Sequence, residues 1–117
     1  KLCEDPLIDN IMVIGENKKF AAALIVPNFS DLRSWCARHD IAYTTNEEMI
    51  KHPEVLQKFK RVVDKYNAQL GETEQVKKFA LIDYEWGIST GELTATLKLK
   101  RNFIAQKFSE KIESLFE

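Results

Sequence analysis

The strongest pattern in the chain is an amphipathic helix across its centre. Its apolar residues recur at intervals of three and four positions: Val55, Leu56, Phe59, Val62, Val63, Tyr66 and Leu70. Pro53 suits the first turn of this helix, and Gly71 is placed to end it. A helix with one apolar face must be covered by another layer, so we expect the chain to build a packed core around it.

Three apolar runs predict that second layer. The first two, IDNIMVI at residues 8–14 and FAAALIV at residues 20–26, are separated by the turn formers GENK at residues 15–18. They are expected to form a hairpin of two buried strands. One helical turn at residues 74–78 and a third strand at residues 79–86, FALIDYEW, are expected to follow the central helix.

Two shorter helices are predicted before the central one. Ser30 or Asp31 can cap a helix that ends near Asp40. Thr45 and Glu48 have the spacing of a capping box, so a second short helix is expected after Thr45.

A last helix is predicted at residues 102–116, where four apolar residues form one stripe: Ile104, Phe108, Ile112 and Leu115. Together these elements predict an α+β fold, in which a small, roughly three-stranded β-sheet is covered by α-helices.

Length and charge limit the classes of function. A chain of 117 residues with 44% hydrophobic residues fits one domain, residues 1–117. Its 17 basic and 18 acidic residues give a net charge of -1, which argues against a nucleic-acid partner. No apolar stretch is long enough to cross a membrane, and the start of the chain lacks the pattern of a signal peptide.

The two cysteines and two histidines lack the spacing of a metal site, so no metal ligand is predicted. We interpret both cysteines as reduced thiols of a cytoplasmic protein. The chain begins without methionine, which we interpret as a fragment of a longer protein.

The segment GELTATLKLKRNF, residues 91–103, is the candidate site. If it is extended, its threonines and lysines alternate with its aliphatic residues and lie on one side. Such lysines often serve only to protect an edge strand from aggregation. A lysine held at the rim of a domain can also contact phosphate or carboxylate oxygens, because its ammonium group has three donors on a flexible stem.

This segment, with EQVKKFALIDYEWGIST before it and IDNIMVIGENKKFAAALIVPNF far upstream, resembles the C-terminal subdomain of the AMP-forming long-chain fatty-acid–CoA ligases. These enzymes are members of the adenylate-forming superfamily. The resemblance implies a mobile C-terminal lid that works with the enzyme's own N-terminal domain on ATP, fatty acid and coenzyme A. Mg²⁺, ATP and coenzyme A would then bind with residues outside this chain, and the fragment alone would be inactive.

The resemblance also assigns site residues. Lys98 is similar to the lysine that enters the active site during adenylation, with Leu97 at the place of the family's glycine. Thr94 and Thr96 match flanking hydroxyl residues, Lys100 is expected to add supporting charge, and Arg101 matches a basic residue of the motif. Ala95 departs from the family's usual proline, whose fixed φ would stiffen the loop.

An alternative interpretation stays open beside this one. The central helix carries four basic residues among its polar positions: Lys58, Lys60, Arg61 and Lys65. They would suit a stand-alone interaction module that binds an acidic protein. Peripheral association of the parent enzyme with a membrane is compatible with the resemblance, although no transmembrane segment is predicted.

Overall fold

The computed structural model describes residues 6–15, 20–69 and 75–116. Eight elements follow one another in it: β1 (Ile8–Ile14), β2 (Ala21–Pro27), α1 (Phe29–Arg38), α2 (Asn46–Lys51), α3 (Pro53–Asn67), β3 (Val76–Leu81), α4 (Arg101–Lys107) and α5 (Ser109–Leu115). They form the α+β fold expected from the sequence. The turn at residues 16–18 and the helix stop at Gly71 lie outside the described residues.

The sheet has three strands in the order β1-β2-β3. The first pair is antiparallel, as predicted, with Met12 opposite Leu24. The second pair is parallel, with Ile25 opposite Leu81, so the chain crosses over between β2 and β3 through the three helices α1 to α3. Every residue of the central strand β2 is buried, which is typical of a strand covered on both faces.

Two cores lie on opposite faces of the sheet. Ala23 and Ile25 of β2 pack with helices α1 to α3, and Phe59 of α3 is fully buried among them. Leu24 of β2 packs on the other face with Ile104 of α4 and Leu115 of α5. The second core also includes the segment that carries the candidate site, since Leu93 belongs to it.

The helix starts follow from their caps. Asn28, rather than Ser30 or Asp31, caps α1, because its side chain accepts a hydrogen bond from the Asp31 backbone N–H at 3.3 Å. Thr45 caps α2 as predicted, accepting from the Glu48 backbone N–H at 3.1 Å. The Glu48 carboxylate accepts a hydrogen bond from the backbone N–H of Thr44, one residue before the cap.

The structure corrects two predicted boundaries. β3 begins at Val76, where residues 76–78 were expected to be helical, and it ends at Leu81, well before Trp86. The C-terminal helix is divided at Phe108, whose φ of -109° and ψ of 25° leave the helical range. The predicted apolar stripe survives the break, because Phe108 donates to the Ile104 carbonyl and Ile112 donates to the Phe108 carbonyl.

Candidate functional site

Residues 92–100 form a tight turn that we name the lysine hairpin. Leu93 and Leu99 face each other across an antiparallel bridge. Beyond them the Thr94 N–H donates to the Lys98 carbonyl at 2.8 Å. The prediction of one extended segment with lysines and threonines on one side is therefore wrong, because the chain reverses direction between Thr94 and Lys98.

The threonines of the hairpin stabilise its tip. The Thr94 hydroxyl oxygen accepts from the Lys98 backbone N–H at 3.1 Å and lies 3.0 Å from the Thr96 hydroxyl oxygen. The Leu97 N–H in turn donates to the Thr94 carbonyl at 2.8 Å. Thr94 thus binds the loop at three points, which gives it a structural role.

Leu97 adopts a strained backbone at the tip. Its φ of 65° lies in the left-handed region, and its side chain is 65% exposed. Glycine enters that region without the steric cost that a Cβ brings. This is the position at which the resemblance places a glycine, so the local geometry explains that preference.

Lys98 and Lys100 present the positive charge of the hairpin. Both residues are exposed, and in residues 6–15, 20–69 and 75–116 neither ammonium group has an ion pair or a hydrogen bond. The backbone groups of both residues are nevertheless fixed, Lys98 by Thr94 and Lys100 by the Glu92 carbonyl at 2.8 Å. The hairpin therefore combines a backbone fixed by hydrogen bonds with exposed ammonium groups that can bind an anion.

Arg101 is engaged elsewhere. Its guanidinium group donates to the Val13 carbonyl at 2.7 Å, which ties the first residue of α4 to strand β1. The structure thus gives the Arg101 guanidinium group a partner on β1 rather than in the hairpin.

A buried carboxylate lies at the base of the hairpin. The side chain of Glu92 is 0% exposed, and its Oε2 accepts from the Tyr84 hydroxyl at 2.5 Å and from Lys107 Nζ at 2.7 Å. Its other oxygen, Oε1, has no partner with hydrogen-bond geometry among the described residues. Two neighbouring groups thus meet one oxygen of a charge that is wholly removed from water.

The titration of this group reflects both its burial and its partners. Burial would raise the pKa of Glu92, but the hydrogen bonds from Lys107 and Tyr84, together with the nearby Thr90 hydroxyl, lower it to about 2. The same contact with Glu92 raises the pKa of Lys107, and burial raises the pKa of Tyr84. All three shifts favour an ionised Glu92 beside a protonated Lys107 and a neutral Tyr84.

Aromatic rings surround the cation of this pair. Lys107 Nζ lies 5.0 Å from the ring centroid of Tyr84 and 5.6 Å from that of Phe103. The Phe103 ring also closes on Gly91, whose φ is 98°, and a Cβ built there would come within 2.8 Å of Phe103 Cζ. Gly91 is therefore required by backbone conformation and by space.

The sequence pattern did not identify Glu92, Tyr84 or Lys107. Glutamate and lysine are mostly exposed in proteins, and a pair separated by 15 positions has no local signature. The only available clue is Gly91, which permits a close approach of the chain to Phe103.

The basic face of α3 shows fewer features of a binding site than the lysine hairpin does. Lys60 forms an ion pair with Asp64 at 3.2 Å on its own helix. Lys58 and Arg61 line a shallow groove of about 340 Å³ with Trp35, but Glu54 lies in the same groove. No geometric feature of this face selects an acidic partner.

No helix in the described part of the chain is long and apolar enough to cross a membrane. Among the same residues, no three histidine, cysteine or acidic side chains are grouped as metal ligands would be.

A family of known domains matches the chain along its whole length. The family model described as AMP-binding enzyme C-terminal domain covers residues 1–117. The chain is 30% identical to the long-chain-fatty-acid–CoA ligase FadD15 of Mycobacterium tuberculosis, over 95% of this chain and 19% of that protein. It is 29% identical to the human long-chain-fatty-acid–CoA ligase ACSBG1, over 97% of this chain and 18% of that protein. The chain thus spans less than a fifth of the length of these relatives.

Solved structures share the fold. The adenylation domain of a carboxylate reductase from Mycobacterium chelonae superposes with a TM-score of 0.68 at 21% identity, over 98% of this chain and 16% of that chain. The A-PCP didomain of a carboxylic acid reductase from Segniliparus rugosus, solved in complex with AMP, superposes with a TM-score of 0.64 at 18% identity, over 97% of this chain and 14% of that chain. At these identities the similarity establishes the fold.

Proposed function

The chain belongs to the family of AMP-binding enzyme C-terminal domains, and from this premise we propose that it is the C-terminal lid of a long-chain fatty-acid–CoA ligase. Two relatives that match nearly the whole chain carry that enzyme name. Since the chain spans less than a fifth of each, we propose that an N-terminal domain of the same enzyme supplies the remaining binding sites. The chain alone would then be inactive.

The exposed Lys98 ammonium group on the braced lysine hairpin carries this proposal. In acyl-adenylate formation, a fatty-acid carboxylate attacks the α-phosphorus of ATP, a carboxylate–phosphorus bond forms, and pyrophosphate leaves. The step brings anions together and builds charge on the leaving group. A cation held at the reacting oxygens offsets both effects, and a fixed hairpin backbone limits the entropy lost in placing it.

The other groups of the hairpin have lesser parts in this proposal. Lys100 adds positive charge beside Lys98, while Thr94 and Thr96 hold the tip in shape. Arg101 acts through its contact with β1 rather than on the substrate. We assign Mg²⁺ and coenzyme A to the N-terminal domain, and we propose a cytoplasmic enzyme that associates with membranes peripherally.

The test uses the enzyme in which this chain is joined to its N-terminal domain. Lys98→Ala should lower the rate of adenylation, measured by pyrophosphate exchange, by about a hundredfold or more. Thioester formation from supplied acyl-adenylate should stay nearly unchanged. Lys111→Ala, which removes an exposed lysine of α5, is the matched control. Unchanged adenylation in the Lys98 variant would show that the lysine is only part of a solvated edge.

A further inference from the structure

We propose that Glu92 is a positioning residue for Lys98, because it fastens the stem of the lysine hairpin to helix α4 from inside the protein. The part of this inference that concerns catalysis rests on the proposed function of Lys98. The structural part stands on the contacts of Glu92 alone.

Glu92 contacts both sides of the hairpin base. Its carbonyl oxygen accepts from the Lys100 N–H at 2.8 Å and so closes the hairpin on the segment that follows Lys98. Its carboxylate points inward and accepts from Lys107 Nζ at 2.7 Å, in the last turn of α4. One residue therefore joins the hairpin stem to a helix in the second core.

The ion pair restricts where the stem can lie. A fully buried carboxylate without a partner is costly, so displacement of Glu92 from Lys107 is strongly disfavoured. Tyr84 makes the requirement stricter, since its hydroxyl donates to the same oxygen at 2.5 Å. The hairpin base is thus fixed by a pair of charge-assisted hydrogen bonds, which are stronger than neutral ones.

The partner cation is itself held in place. Lys107 is 38% exposed at its side chain, yet its ammonium group lies over the rings of Tyr84, Phe103 and Phe108, with the last at 5.9 Å. These contacts favour one position of the charge. Glu92 consequently meets a cation that is already placed by the second core.

The position of Glu92 is transmitted to Lys98 through a short ladder of contacts. The Glu92 to Lys100 hydrogen bond is followed by the Leu93 and Leu99 bridge, and then by the Thr94 to Lys98 hydrogen bond. A shift at the base would therefore move the tip. Displacement of a catalytic group by about 1 Å can reduce a rate by about a hundredfold.

The first measurement is made on this chain and needs no catalysis. Amide hydrogen exchange, followed by NMR, should be faster in Glu92→Gln than in the wild type at Thr94 and Lys100, by about tenfold beyond any change at Phe59 of α3, which reports global unfolding. Tyr84→Phe keeps the ion pair and removes one hydrogen bond, so it should give a smaller effect in a chain that still folds. Lys111→Met is the control. Unchanged exchange at Thr94 and Lys100 in Tyr84→Phe and in folded Glu92→Gln would overturn the proposal.

The second measurement tests whether Glu92 acts through Lys98. In the two-domain enzyme, Glu92→Gln should lower the adenylation rate at least about tenfold, and it should cause no further loss in a Lys98→Ala background. Equal losses in both backgrounds would overturn the positioning role, because Glu92 would then act by another route. Lys98→Ala without any effect would instead overturn the proposed function, while faster exchange at Thr94 and Lys100 would still support the clamp on the hairpin.

Discussion

The backbone N–H of Thr94 donates to the carbonyl oxygen of Lys98 at 2.8 Å, so these two residues stand opposite each other across the tip of the lysine hairpin. Only three residues, Ala95 to Leu97, complete the reversal between them. Such a short connection allows few backbone conformations, and Leu97 adopts the left-handed conformation that completes the turn. The presentation of Lys98 is thus coupled to a strained residue at its immediate N-terminal side.

Leu97→Gly should stabilise the chain. The left-handed backbone costs a residue with a Cβ about 1 kcal/mol, and the Leu97 side chain, which is 65% exposed, contributes little burial to offset that cost. The gain should appear as a higher urea midpoint at an unchanged slope. Leu97→Ala keeps the strain and is the matched control. A glycine variant that is less stable than the alanine variant would contradict the argument.

Gly91→Ala should destabilise the chain by about 2 kcal/mol or more. Its Cβ would lie 2.8 Å from Phe103 Cζ, and the φ of 98° disfavours any L side chain. Gly87→Ala is the control, since the nearest atom to a Cβ there lies at 3.8 Å. Adding Phe103→Leu to Gly91→Ala should recover only part of the loss in unfolding free energy, because the strain at φ remains. Full recovery would show that the ring alone requires the glycine.

Asn28→Ala should cost about 1 kcal/mol of unfolding free energy, because Asn28 accepts the hydrogen bond that caps α1. Ser30→Ala, two residues away at an exposed position, should change the unfolding free energy by less than about 0.5 kcal/mol. Thermal or urea unfolding of both variants separates the two possible caps. A larger loss from the serine change would restore the cap that the sequence suggested.

The elements that the sequence predicted well are those whose local pattern matches their burial. Helix α3 has one buried stripe and one polar face, and β2 is an apolar run that is buried throughout, whereas β1, also predicted as a buried strand, buries only Ile8 and Met12. These patterns depend only on neighbouring residues, so they can be read from one chain. The strand pairing of β2 with β3 is different, because it joins residues more than fifty positions apart.

The misplaced third strand has a similar explanation. Lys77 and Lys78 are exposed and adjacent in β3, which hides the period of two that identifies a strand. The apolar residues Ile82 and Trp86 suggest a continuation of this strand, but they are buried in the second core outside any strand. The sequence therefore predicts a strand that continues past Leu81, because these two residues are apolar and buried, although they are not in a strand.

Within the candidate site, the sequence reveals the exposed lysines but not the buried residues that hold the hairpin in place. Lys98 and Lys100 stand in a short basic segment that is evident from the sequence alone. The buried ion pair of Glu92 with Lys107 depends on the packing of α4 against the hairpin, which no local pattern encodes. The reversal at Thr94 was missed because the alternation of polar and apolar residues imitates a longer strand.

The low pKa of Glu92 predicts a specific acid sensitivity. Its folded-state pKa of about 2 lies below the ordinary value of 4.5, so the unfolded chain takes up a proton at this group before the folded chain does. The stabilisation from an ionised Glu92 is therefore complete above about pH 5.5 and decreases as the pH falls from 4.5 toward 2. Glu92→Gln removes this titration, so the variant should lose less stability than the wild type on acidification.

The measurement is the difference in unfolding free energy between wild type and Glu92→Gln, from urea titrations at several values between pH 7 and pH 3. The difference should be constant from pH 7 to about pH 5.5 and should have shrunk clearly by pH 3, because Glu92 is then largely protonated in the unfolded chain while Tyr84 and Lys107 still bind its carboxylate in the folded chain. Glu110→Gln, at an exposed position of α5, controls for the general effect of removing a carboxylate. A difference that stays constant down to pH 3 would mean that Glu92 keeps an ordinary pKa and that its charge does not hold the hairpin base.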